Sequence, residues 1–158
     1  MDVNFSALYN KDVASSVSLL EELIIDVHNE IIASEIGTKW DKVGDIDGYY
    51  FSIVDPANKK NKISFGIWNE LWVSSGFPLC LSFQLNSIPV KEIINSLVDF
   101  IDLNELKNLE VIETENIVSI CFSEEYLIEI KYLKDIVNLI IALVEKFSFS
   151  FTINKKKW

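Results

Sequence analysis

Apolar and polar positions recur along this chain with two different periods. Leu20, Leu23, Ile24, Val27 and Ile31 fall at helical spacing, with Glu22, Asp26, Asn29 and Glu30 outside the stripe. That pattern predicts a helix over about 16–36, because residues three and four apart share a helix face. Ser18 and Glu21 have the spacing of a capping box at its start, and Gly37 supplies a stop. Residues 41–48, DKVGDIDG, read as a turn cluster. Tyr49 to Val54 is a β-branched and aromatic run, hence a strand. A polar loop over 55–62 then leads into Ile63, Phe65 and Ile67, which alternate with Ser64, Gly66 and Trp68 as the second arm of a hairpin. Residues 69–78, holding Trp72, Gly76 and Pro78, read as a connection. The cleanest alternation follows, with Leu79, Leu81, Phe83 and Leu85 on one face and Cys80, Ser82 and Gln84 on the other.

Ser87 and Pro89 open a second helix, whose stripe is Val90, Ile93, Ile94, Leu97, Val98 and Ile101 and whose end falls at Asn104. Strands are predicted over 109–113 and 117–122, with a further one where Tyr126, Ile128, Ile130 and Tyr132 alternate with Leu127, Glu129 and Lys131. Residues 133–146 form a helix that is apolar almost all round, so it is either central or at an interface. Phe147, Phe149, Phe151 and Ile153 have strand spacing. Residues 1–14 read as a loose lead-in and 154–158 as a frayed basic tail. The expected architecture is one α+β domain over 1–158 with a mostly antiparallel sheet, in the order α-β-β-β-α-β-β-(β)-α-(β).

Composition narrows the function. The chain has 158 residues, 49% of them hydrophobic and 24% charged, which suits a globular domain with its own core. Its 14 basic residues are all lysine and stand against 24 acids, for a net charge of −10. An anionic chain without arginine is poorly suited to a polyanion, so direct nucleic-acid binding is not expected. Cys80 and Cys121 belong to no Cys-x-x-Cys pair, and read as two buried free thiols. The N-terminus lacks the pattern of a signal peptide, and the dense apolar run over 136–144 is too short to span a bilayer. The expectation is a soluble, cytoplasmic protein without membrane association.

The one histidine, His28, lies between Ile24 and Ile31. It serves as a base only if Cys80, Cys121 or a serine reaches it across the fold; an edge-of-core histidine is the simpler reading. Asp45, Asp47 and Gly48 share part of a calcium-loop pattern, but placing Gly48 at its sixth position puts Val43 first and Val54 twelfth, where ligands are required. No metal or cofactor is expected.

The element order over 16–122 resembles the core of PD-(D/E)XK nucleases, in which two acids hold a metal ion and a lysine helps activate water. Asp55 precedes Pro56, the reverse of that motif; Ser82-Phe83-Gln84 stands where Glu-x-Lys belongs; and Glu129-Ile130-Lys131 comes two elements late. The resemblance implies a degenerate relative, an active form of which would use Asp55, Glu129 and Lys131. With a further strand and helix, the order also resembles the small acidic chaperones of type III secretion, which implies a dimer wrapping an extended client segment.

Two features point to protein binding. Phe65, Trp68, Trp72 and Phe77 crowd into 65–78, and Trp72, with Trp68 and Phe77, is the expected interface anchor. Residues 99–129 carry Asp99, Asp102, Glu105, Glu110, Glu113, Glu115, Glu124, Glu125 and Glu129 against Lys107 alone, and Glu21, Glu22, Asp26, Glu30 and Glu35 extend the acidity along the first helix. The leading expectation is a non-catalytic, acidic inhibitor or immunity-type module for a basic toxin or nucleic-acid-acting enzyme, steered electrostatically to its partner. The alternatives are the degenerate nuclease and the chaperone-like dimer. Homodimer contacts are expected through the 147–153 strand or the 133–146 helix.

Overall fold

Strand alternation and helix stripes meet in one core. A computed structural model describes residues 13–33, 38–45, 48–114, 117–123 and 133–147. The elements are α1 (Val13–Ala33), β1 (Thr38–Asp45), β2 (Gly48–Val54), β3 (Lys62–Trp68), α2 (Asn69–Ser75), β4 (Cys80–Gln84), α3 (Val90–Leu103), β5 (Leu109–Thr114), β6 (Ile117–Phe122) and α4 (Leu133–Lys146). The fold is α+β. Its six strands form one sheet in the order β1-β2-β3-β4-β6-β5, and every neighbouring pair is antiparallel.

Register sorts the side chains onto two faces. Phe51, Phe65, Leu81, Ile120 and Val111 are successive cross-strand partners, as are Ile53, Ile63, Phe83 and Val118. These residues meet the helices. Edge-to-face contacts at 6.0 Å join Phe51 to Phe65 and Phe65 to Phe122, the geometry aromatic quadrupoles favour. α1 packs on α4 and on β1 to β3, while α3 covers β5 and β6. Lys146, at the end of α4, lies 6.0 Å from the centre of the Phe100 ring on α3, so these two helices share a layer. The predicted apolar helix is therefore central: Leu133, Ile136, Val137, Leu139, Ile140, Leu143 and Val144 of α4 are buried in the chain's own core.

The opposite face carries the other residue of each alternation. Ser52, Ser64, Ser82 and Ser119 stand in one cross-strand row, and Tyr50, Gly66, Cys80 and Cys121 in the next. A two-faced sheet of this kind needs strict register, since a one-residue slip would bury the serines in the helical core.

Several expectations need correction. β1 and α2 replace residues that read as a turn cluster and a connection. β1 hides because its pairing with β2 is irregular, with register shifts between Trp40 and Lys42 and between Lys42 and Asp45. Extra residues at such bulges break the period-two signal. Asp45 pairs directly with Gly48, so the calcium-like cluster belongs to the β1–β2 pairing; residues 46–47 lie outside the described residues. α2 is only seven residues long, too short for a visible period, and ends where Gly76 takes φ 83° and donates its N–H to the Trp72 carbonyl at 2.9 Å. α1 is already helical at Val13, which puts Ser18 and Glu21 inside it instead of at a cap; the rest of the expected lead-in, residues 1–12, lies outside the described residues. The observed order is thus α-β-β-β-α-β-α-β-β-α. The expected strands over 126–132 and 147–153, and the basic tail, lie outside the described residues apart from Phe147, which packs on Phe83 at 5.6 Å.

Candidate functional site

The serine row is the floor of a cleft. Ser64, Ser82 and Ser119 lie beneath a space of about 320 Å³ walled by Tyr50, Trp68 and Leu71. α2 forms one side because it leaves β3 directly at Trp68, and the cross-strand pair Thr114 and Ile117 of β5 and β6 closes the other. Lys62, Gln84 and Glu70 add a cation, an amide and a carboxylate. Lys62 and Gln84 are direct cross-strand partners.

The floor hydroxyls pair with one another. Ser52 Oγ lies 2.6 Å from Ser64 Oγ, and Ser82 Oγ lies 2.7 Å from Ser119 Oγ. In each pair one hydroxyl donates to the other, and the acceptor's own proton is left for a further partner. The Tyr50 ring stacks on the Trp68 indole at 4.4 Å and 24°. Gly66 makes this wall possible. Its φ is 153°, and a Cβ there would strike the Tyr49 carbonyl oxygen and come within 2.6 Å of the Tyr50 Cβ. The result is a mixed surface of hydroxyls and aromatic rings.

The predicted anchors separate. Trp68 lines the cleft, whereas Trp72 is half-buried against the core on the other side of α2, and Phe77 is half-buried in the loop beyond it. Of the three, Trp68 is the one that lines the cleft. Asp99 and Asp102 are exposed on α3, Glu105 is exposed just after it, and Glu110 and Glu113 are exposed on β5. Register puts Glu110 opposite Cys121 and Glu113 opposite Val118, so they belong to opposite faces of the outermost strand. The acids therefore form a rim around the α3–β5 edge instead of a flat patch. Glu115, Glu124, Glu125 and Glu129 lie outside the described residues, as does Lys131.

Glu105 has an unusual backbone. α3 ends at Asn104, whose side-chain amide donates to the Phe100 carbonyl at 2.8 Å. Glu105 then takes φ 53°, and Leu106 N–H donates back to the Ile101 carbonyl at 2.9 Å. This is the left-handed helix stop that glycine normally fills.

His28 is buried on the helical face, edge-on to Phe51 at 5.0 Å. Burial lowers its pKa below the ordinary 6.5, with a hydrogen bond to Asn29 opposing. Cys80 and Cys121 belong to the other face of the sheet, so the sheet itself separates His28 from both thiols and no Cys–His pair forms. The Asp55 carboxylate accepts the Ala57 N–H at 3.0 Å and so holds its own loop. Among the described residues no three His, Cys, Asp or Glu side chains gather as a metal site. No described helix is long and apolar enough to cross a membrane.

Sequence reasoning missed Tyr50, Ser64, Ser82 and Ser119 as site residues. The available signal was a serine at the polar position of four separate strands. Comparison with protein-family models, curated proteins and solved structures finds no match for the chain.

Proposed function

We propose that the chain is a non-catalytic protein-binding module of the inhibitor or immunity type, one that neutralises a basic toxin or nucleic-acid-acting enzyme. The observation that carries this reading is the acidic rim. Asp99, Asp102, Glu105, Glu110 and Glu113 are all exposed around one edge, and Lys107 is the one lysine between positions 99 and 113 of the sequence. An exposed acidic rim on a chain of charge −10 would speed encounter with a basic surface and select against acidic ones. Glu105 adds a second argument. A non-glycine residue in the left-handed region carries roughly 1 kcal/mol of strain or more, and keeping a carboxylate there fits a role for its charge. The cleft beside Trp68 would take an anchoring side chain once the partner is docked.

The test compares two equal charge changes on exposed acids. Asp99→Lys with Asp102→Lys alters the rim, and Asp135→Lys with Glu145→Lys alters α4. Capture from the native cell should recover one stoichiometric basic protein, released by salt, with the wild type and the α4 variant. The rim variant should lose at least about tenfold in association rate. Equal behaviour of both variants, or association unchanged by salt, would refute the reading.

The chaperone-like dimer is the second reading. It is favoured by the order of the elements together with a sheet that has helices on one face and a cleft on the other. A dimer holding an extended client segment in sedimentation measurements would support it, and a monomer binding only a folded partner would count against it.

A further inference from the structure

Cys80 and Cys121 are direct partners across the β4–β6 seam, with their Sγ atoms 3.2 Å apart. The backbone defines what kind of pair this is. Phe122 N–H donates to the Leu79 carbonyl at 3.1 Å, which makes Leu79 and Phe122 a hydrogen-bonded pair. Hydrogen-bonded and non-hydrogen-bonded pairs alternate along an antiparallel ladder, so Cys80 and Cys121 occupy the non-hydrogen-bonded kind, with Cα atoms about 4.5 Å apart. Disulfides accept Cα separations of roughly 4.4–6.8 Å. Rotation about the two Cα–Cβ bonds, without backbone movement, is then enough to bring the sulfurs from contact to bonding distance.

The position matters to the fold. The seam is where the β1–β4 meander joins the β5–β6 hairpin, and α3 is the covalent connection between those parts. On the same face, two residues along each strand, Ser82 and Ser119 span the same seam beneath the cleft. A bond between the sulfurs would fix the floor of the cleft directly.

We propose that Cys80 and Cys121 are a disulfide-forming pair, closed by a small-molecule disulfide such as oxidised glutathione when the seam is open, and locking β4 to β6 when the chain is folded. One cysteine thiolate attacks the oxidised glutathione, forming a protein–glutathione disulfide and releasing a glutathione thiolate. The second cysteine thiolate attacks the protein sulfur of that mixed disulfide and releases the second glutathione thiolate. The two cysteine protons end on the two released thiolates, and two electrons pass from the protein to the oxidant. In the folded, reduced chain both thiols are buried, and their mutual hydrogen bond and burial raise the Cys80 pKa. Thiolate is the attacking species, so the folded pair is protected and reacts during folding or local opening.

The test refolds the reduced wild-type chain from denaturant in a mixture of reduced and oxidised glutathione, then caps free thiols and measures intact mass. The expected product is an uncapped monomer lighter by two hydrogens, with a peptide joining Cys80 to Cys121 and a raised thermal midpoint that reductant reverses. Folded reduced chain in the same mixture should convert at least about tenfold more slowly, because the opening must come first. Both thiols recovered capped, a stable glutathione adduct, or a bond between chains would overturn the proposal. Cys121→Ser should instead keep glutathione on Cys80; its failure to do so would show that Cys80 cannot start the exchange, and Cys80→Ser tests the reverse order. The wild-type mass decides the matter even where neither variant folds.

Discussion

Ser82 on β4 and Ser119 on β6 face each other across the strand seam with their hydroxyl oxygens 2.7 Å apart. Both are nearly buried, so each hydroxyl depends on the other. Ser82→Ala should cost about 1–2 kcal/mol by leaving the Ser119 hydroxyl without its partner. Ser82→Ala with Ser119→Ala should cost less than the sum of the two single changes, because the double variant leaves no orphan. Denaturant unfolding of the three variants measures the coupling, and strict additivity would show that the pair contributes nothing as a pair.

Gly66 is where the aromatic wall depends on a missing side chain. Gly66→Ala should destabilise the chain by about 2 kcal/mol or more, through backbone strain at positive φ combined with overlap with the Tyr49 carbonyl and Tyr50. Gly76→Ala, where a Cβ would meet nothing within 4 Å, should cost only about 1 kcal/mol for its left-handed backbone. Thermal or denaturant midpoints for the two variants give the ranking directly.

Glu105 sits in the helix-stop conformation that glycine prefers. Glu105→Gly should therefore be neutral or stabilise the fold by up to about 1 kcal/mol. If the acidic rim receives a basic partner, the same change should weaken that association. A variant that loses stability would show that the Glu105 side chain supports the fold.

His28 gives the stability a pH dependence of defined sign. Burial holds its pKa below the ordinary 6.5, so the unfolded chain takes up the proton first as pH falls. The contribution is present above pH 6.5, is lost progressively below it, and stops changing once pH passes below the folded pKa. Unfolding measured at about pH 7.5 and about pH 5.5 should show a smaller difference in His28→Gln than in the wild type. An unchanged difference would assign the pH dependence to the carboxylates.

Much of the fold was legible because burial on one face imposes a period. Leu79, Leu81, Phe83 and Leu85 announced β4, and the stripe through Ile93 and Leu97 announced α3, since each has one apolar side to hide. The polar hairpin loop after Val54 and the stop at Asn104 were equally plain. β1 was not, because the shifts in its pairing with β2 scatter its pattern, and α2 is too short to have one. The site was less legible than the fold. Ser52, Ser64, Ser82 and Ser119 lie as far as 67 positions apart in sequence, and nothing local says that they stand in one row.

The sequence alone determined the fold class, the acidic character and the division of each strand into an apolar and a polar side, because these follow from local spacing and composition. Which polar sides line up was settled by the pairing of distant strands. Antiparallel register set serine against serine and Cys80 against Cys121, put Trp68 in the cleft and turned Trp72 toward the core. It also placed His28 and the two thiols on opposite faces of the sheet. Such relations depend on how distant strands pair, and pairing is fixed by the packing of the whole apolar face against its helices.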